Sequence, residues 1–134
     1  MIDEIQVENL ALIRKATLEP ARGLTVLTGE TGAGKSIVID AISAIMGQRA
    51  YRDMIRTGAD KAVVQGIFTD VPEFSWFSEN GVDYDREVVI RRDIFLDGKN
   101  VCRVNGSLVS VAVLNKLGMQ LINIHGQHDS ATLF

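Results

Sequence analysis

The stretch Gly29-Glu30-Thr31-Gly32-Ala33-Gly34-Lys35-Ser36 constrains the fold more than any other part of the chain. It matches G-x-x-x-x-G-K-[ST], the phosphate-binding P-loop. Leu24 to Thr28 precedes it and reads as a buried parallel strand. The apolar segment Ile37 to Met46 follows, so a helix is predicted from Gly34 to Met46, stopped by Gly47. Strand, glycine-rich loop and helix form the context in which the motif works. The residue types follow from charge. A triphosphate concentrates negative charge, and the loop meets it with inward-pointing backbone N–H groups. Gly29, Gly32 and Gly34 stand where a Cβ would block that approach. The free N–H groups and positive dipole end of the following helix lie beside the phosphates. Lys35 then reaches the β- and γ-phosphates, and the Ser36 hydroxyl serves as a Mg²⁺ ligand. A dinucleotide fingerprint fits poorly, because counting from Gly32 puts Ile37 where a third Gly or Ala belongs.

With 134 residues, the chain holds one domain at most, or part of one. A net charge of −3 gives no support to a large nucleic-acid-binding surface on this piece. The single cysteine, Cys102, cannot form an internal disulfide, which suits a reducing cytoplasm, and it reads as a small strand residue. Asp3 and Glu4 come too early for a secretory signal. The longest apolar run, Ile37 to Met46, is interrupted by Asp40 and Ser43 and is too short to span a membrane.

Ahead of the motif, Ile2, Ile5 and Val7 mark one strand, and Lys15 to Glu19 marks a second, antiparallel one. Simple nucleotide kinases begin at the P-loop strand itself, so this lead-in is informative. After the helix comes an irregular basic segment, Gln48 to Gly58, with Arg49, Arg52 and Arg56. A strand is predicted over Lys61 to Thr69 and a short helix over Glu73 to Glu79. Phe74, Trp76 and Phe77 read as a small hydrophobic patch beneath a loop. Glu87 to Ile94 and Val101 to Val104 pair across the Asp97-Gly98 turn, and Asn105-Gly106 turns again. Ser110 caps a helix that Gly118 ends, and Met119 to Ile124 reads as a further strand.

That last strand would lead into His125-Gly126-Gln127-His128-Asp129. Ligands in open α/β sheets sit beyond the carboxyl ends of strands, so this loop is a candidate to face the same nucleotide. Gln127 can offer an oxygen to Mg²⁺ and an N–H to an attacking water. Zinc on His125 and His128 is the rival, but neither a cysteine nor a third histidine lies nearby. Polar residues at an element junction are the plainer reading.

The motifs together resemble the RecN family of bacterial DNA repair ATPases. The resemblance rests on Gly29 to Ile37 with Asp40-Ala41, Gly47 to Ala50, Ile55 to Gly58, Val104 to Gly106, and Ile124 to His128, and covers nearly the whole chain. That family is similar to the SMC proteins, whose ABC-type ATPase head is split by a long coiled coil. The resemblance implies an α/β fold: the amino-terminal lobe of an SMC-like head, with a mixed sheet and an antiparallel β subdomain, filling residues 1–134. It implies that residues 29–36, including Glu30, Thr31 and Ala33, hold ATP, and that Ser36 and Gln127 contact Mg²⁺. One of Arg49, Arg52 and Arg56 would reach nucleotide or DNA. No catalytic residue belongs to this piece. The Walker B acids, signature motif and switch histidine lie in the family's carboxyl-terminal half, and no such segments occur here. Little or no turnover is therefore expected from it alone. The implied partners are its own carboxyl-terminal lobe, a second head in a homodimer, and DNA, in the cytoplasm at the nucleoid and with no membrane.

Three other readings compete. An ABC transporter ATPase subunit would follow its glutamine loop with a compact helical domain. A small P-loop kinase would need a lid and a substrate-binding acid, for which Asp53 and Asp60 are available, but the lead-in strands disfavour it. A scaffold or DNA-binding module is weakened by the acidic balance.

Overall fold

The computed structural model describes residues 2–19 and 31–124, with backbone alone for 31–36 and 124. Among these residues its frame is a six-stranded antiparallel sheet: β1 (Ile2–Leu10), β2 (Ile13–Leu18), β3 (Lys61–Phe68), β4 (Val88–Phe95), β5 (Asn100–Val104) and β6 (Ser107–Val109); the parallel strand expected over Leu24 to Thr28 lies outside the described residues. The order across the sheet is β2-β1-β3-β4-β5-β6. Two helices, α1 (Thr31–Ile45) and α3 (Val111–Ile124), and a short α2 (Ser75–Glu79) complete it.

Side-chain alternation makes one face of the sheet apolar. Ile5 and Val7 of β1 lie opposite Gly66 and Val64 of β3, which lie opposite Ile90 and Arg92 of β4, and those face Val104 and Cys102 of β5. All of these but Gly66 are buried side chains, and α1 and α3 cover them. A register shift between Ile2 and Glu4 returns Ile2 to the covered side, which accounts for the three-residue step from Ile2 to Ile5. The other face carries Gln6, Glu8, Lys15, Gln65 and Arg91, an open polar surface of the kind that antiparallel sheets present to water.

The two lead-in strands pair antiparallel, as expected, through Ile5↔Leu18 and Val7↔Ala16. The β4–β5 hairpin also follows its turn signal. Asn105 and Gly106, both at positive φ (49° and 85°), make the tight turn into β6. Only three residues long, β6 was too short to be read as a strand from sequence.

The carboxyl-terminal part corrects two expectations. Residues Met119 to Ile124 are not a strand, and Gly118 does not end a helix: α3 runs unbroken to Ile124. Leu114, Leu117 and Leu121 are all fully buried, and their spacing is helical. Gly118 lies inside α3 because a Cβ there would sit 2.3 Å from the Met46 carbonyl oxygen. Close approach of two backbones explains this glycine. Ser110 does cap α3, accepting the Val113 N–H at 3.1 Å.

The aromatic patch is structural. Trp76 and Phe77 are buried, and Phe77 meets both Trp76 and Tyr84 edge-on at about 5 Å. The Trp76 indole N–H donates to the Val113 carbonyl at 2.9 Å, tying α2 to α3. Among the described residues, no helix is long and apolar enough to cross a membrane.

Candidate nucleotide-binding site

The phosphate-loop motif stands at the amino end of α1. Gly29 and Glu30 lie outside the described residues, whereas Thr31, Gly32, Ala33, Gly34, Lys35 and Ser36 form the first turns of the helix. The helix thus already includes Thr31, three positions before the expected start, and takes in two glycines. Each of those costs about 1 kcal/mol of intrinsic propensity, so tertiary packing of the apolar stretch behind them prevails. Helix N-termini leave backbone N–H groups free and carry positive partial charge. Among the described residues, the first turn of α1 holds no acidic residue.

Packing fixes where that end stands. Ile37, Val38, Ala41, Ala44 and Ile45 are buried, while Ile39 and Asp40 turn outward. The helix crosses β1, β3 and β4. It rides close to β3 because residue 66 is glycine: a Cβ there would fall 2.4 Å from the Ile45 Cδ1 atom.

The carboxyl end is held by polar contacts. Arg92, 1% exposed, rises from β4 on the covered face. Its Nη1 donates to the Ala44 carbonyl at 2.8 Å and to the Gln48 carbonyl at 2.6 Å, and its Nε donates to Asn100 Oδ1 at 3.0 Å. Burial pushes the guanidinium below its usual pKa, with some recovery from the neighbouring Cys102. An arginine is still charged under all physiological conditions. From α3, Asn115 Nδ2 donates to the Gly47 carbonyl at 3.2 Å. The sequence reading missed Arg92. Its signal was its register: it occupies the apolar alternation of Val88, Ile90 and Ile94, where a cation is out of place.

The basic segment after α1 is docked against the β1–β2 turn. The Ala11 N–H donates to the Met54 carbonyl at 2.6 Å, the Arg56 N–H donates to the Asn9 carbonyl at 2.8 Å, and Leu10 bridges to Ile55. Arg49 is exposed and lies 5.3 Å over the Tyr51 ring, Arg52 is exposed in a 3₁₀ turn, and Arg56 is half-buried.

On the open sheet face, Asp93 accepts from Lys61 at 3.0 Å and from Arg91 at 2.8 Å. Burial would raise its carboxyl pKa, but the Arg91 and Lys61 hydrogen bonds outweigh that and hold it below the usual range. Gln6, Glu8, Lys15, Thr17, Gln65 and Arg91 line a shallow depression there, distant from the motif in the fold's layering.

Gln127, His125 and His128 lie outside the described residues. Their inferred setting changes, however, because a helix rather than a strand leads to them, so the strand-end argument for Gln127 falls away. Among the described residues, no cluster of metal-ligating side chains occurs.

Known proteins agree with this architecture. The model of the AAA domain family matches residues 4–125. A DNA repair protein RecN of Bacillus subtilis (strain 168) is 48% identical over 99% of this chain, which spans 24% of that relative's length. A solved structure concerning ATP-driven dimerization and DNA-stimulated activation of SMC ATPases superposes with a TM-score of 0.66 at 24% identity, covering 88% of this chain and 79% of that one. The recombination mediator protein RecF, in its RecF-ATPrS form, gives a TM-score of 0.60 at 21% identity over 85% of this chain and 29% of its own. Its α/β architecture with an antiparallel sheet is thus that of an SMC-type ATPase head, and the chain belongs to the AAA domain family, with similarity to RecN along nearly its whole length.

Proposed function

We propose that this chain is the ATP-binding lobe of a RecN-like, SMC-type ATPase head that acts in recombinational repair of DNA double-strand breaks. The observation that carries the reading is the P-loop sequence at the amino end of α1, with no carboxylate in its first turn. Residues 29–36 hold the phosphates, Lys35 contacts the β- and γ-phosphates, and Ser36 and Gln127 contact Mg²⁺. A metal held by these two residues would neutralise phosphate charge.

The similarity to RecN along 99% of the chain supports the repair role, and the likeness to SMC heads supports ATP-linked dimerisation. Partners in this reading are the chain's own carboxyl-terminal lobe, a second head, and DNA, at the nucleoid in the cytoplasm. The groups that cut ATP belong to the other lobe, so this lobe alone binds ATP with little or no turnover. The test joins this lobe to that carboxyl-terminal half and measures ATP-dependent dimerisation and hydrolysis, with Lys35→Ala and Gln127→Ala compared. Loss of both activities in Lys35→Ala, and of hydrolysis in Gln127→Ala, is expected. Robust turnover by the 134-residue chain alone would contradict the division of labour.

A further inference from the structure

We propose that Arg92 is a positioning residue for nucleotide binding: its grip on the Ala44 and Gln48 carbonyls sets where α1, and the phosphate loop at its far end, stands over the sheet. The inference rests on the proposed ATP-binding role and adds a residue that lies outside the motif.

Arg92 is a poor choice for stability alone. Its neighbours in the same register, Ile90 and Ile94, show that an aliphatic side chain fits this layer. Burying a cation without a carboxylate is costly, and an apolar replacement of similar size is often neutral or stabilising. The three acceptors of Arg92 are all neutral: two main-chain carbonyls and the Asn100 amide oxygen. The neighbouring Asp93 points to the opposite face, where Lys61 and Arg91 hold it. What compensates the charge is the negative end of the α1 dipole, reached through the Ala44 carbonyl, which also accepts the Gly47 N–H, and the Gln48 carbonyl just beyond the helix.

Such a contact does something that methyl groups do not. Aliphatic side chains tolerate sliding and tilting of a helix across a sheet, whereas a forked donor shared between two carbonyls and a third acceptor fixes both. A further polar contact, from Asn115 to Gly47, is at the same end, as is the backbone approach of Gly118 to Met46. At 15 residues, α1 is a rod of about 22 Å. It is pinned by hydrogen bonds at its carboxyl end and carries the motif at the other. A tilt of about 5° about the pinned end moves the amino end by about 2 Å over that length. Displacements of about 1 Å already matter for aligned polar recognition.

The test measures Mg-ATP affinity and urea stability for wild type, Arg92→Met, Arg92→Lys and Phe77→Ala, at a temperature where each is folded. Phe77 packs its ring against Trp76 and Tyr84, neither of them in α1, so Phe77→Ala controls for lost stability. Arg92→Met should weaken Mg-ATP binding about tenfold. Arg92→Lys keeps the charge without the fork and should fall between. Phe77→Ala should bind as wild type does despite its lower stability. Wild-type binding with Arg92→Met within twofold of it overturns the role of Arg92 and leaves the ATP-binding reading intact. So does an equal loss in Phe77→Ala. A wild-type chain that binds no Mg-ATP overturns both. Should Arg92→Met fail to fold, Arg92→Lys with the control decides the matter in the same way.

Discussion

Replacing Gly118 by alanine separates local propensity from tertiary contact. Within a helix, glycine to alanine ordinarily stabilises by about 1 kcal/mol. Here the added Cβ would stand 2.3 Å from the Met46 carbonyl oxygen and 3.0 Å from the Met46 Cα and carbonyl carbon. Carbon–oxygen contacts settle at about 3.3 Å or more, so the end of α1 and the middle of α3 must part by about 1 Å. The obstacle is backbone, and no rotamer change relieves it. Parting them loosens the packing of Leu114, Leu117 and Leu121 and stretches the Asn115 to Gly47 hydrogen bond, already 3.2 Å long. Overpacking of this kind costs about 1–3 kcal/mol. Set against the gain in propensity, the net is a destabilisation of about 1 kcal/mol, with an upper range near 2 kcal/mol. Urea unfolding followed by circular dichroism should show the midpoint fall by about 0.5–1 M, at slopes usual for a small domain. A raised midpoint would refute the close approach of the two helices.

Two further outcomes follow from the caps and charges. Ser110→Ala removes the side-chain acceptor for the Val113 N–H and should lower stability by about 1 kcal/mol in the same assay. Asp93 has a carboxyl pKa held below its unfolded value of about 3.9, so its contribution is present above about pH 4 and is lost as pH falls through the folded value. Asp93→Asn should therefore be less stable than wild type at pH 7, with the gap closing below about pH 4, as urea midpoints across pH would record. A gap that widened on acidification would reverse the assigned shift.

Legibility in the sequence was uneven for physical reasons. Strands β1 to β5 followed from alternation and turn chemistry, because Asp97-Gly98 and Asn105-Gly106 specify tight hairpin turns locally. The motif could be read because glycine spacing, Lys35 and Ser36 are all dictated by one ligand chemistry. Residues 119–124 were misread as a strand because a short apolar run has no decisive period, and Gly118 looked like a stop. Only the Met46 carbonyl, far away in sequence, explains that glycine. Arg92 stood out as a cation within an apolar alternation, but its partners Ala44 and Gln48 come from α1 and the segment after it, and no local pattern announces them.

The central claim is that the amino end of α1 holds the phosphates of ATP through the loop at residues 29–36. Equilibrium binding of Mg-ATP to wild-type and Lys35→Ala chains tests it most directly. Lys35→Ala replaces one good helix former with another, so both proteins should unfold at similar urea concentrations. The account predicts saturable binding by the wild type and a loss of tenfold or more in Lys35→Ala, about 1.4 kcal/mol at the least. Equal affinity of the two folded chains would contradict it.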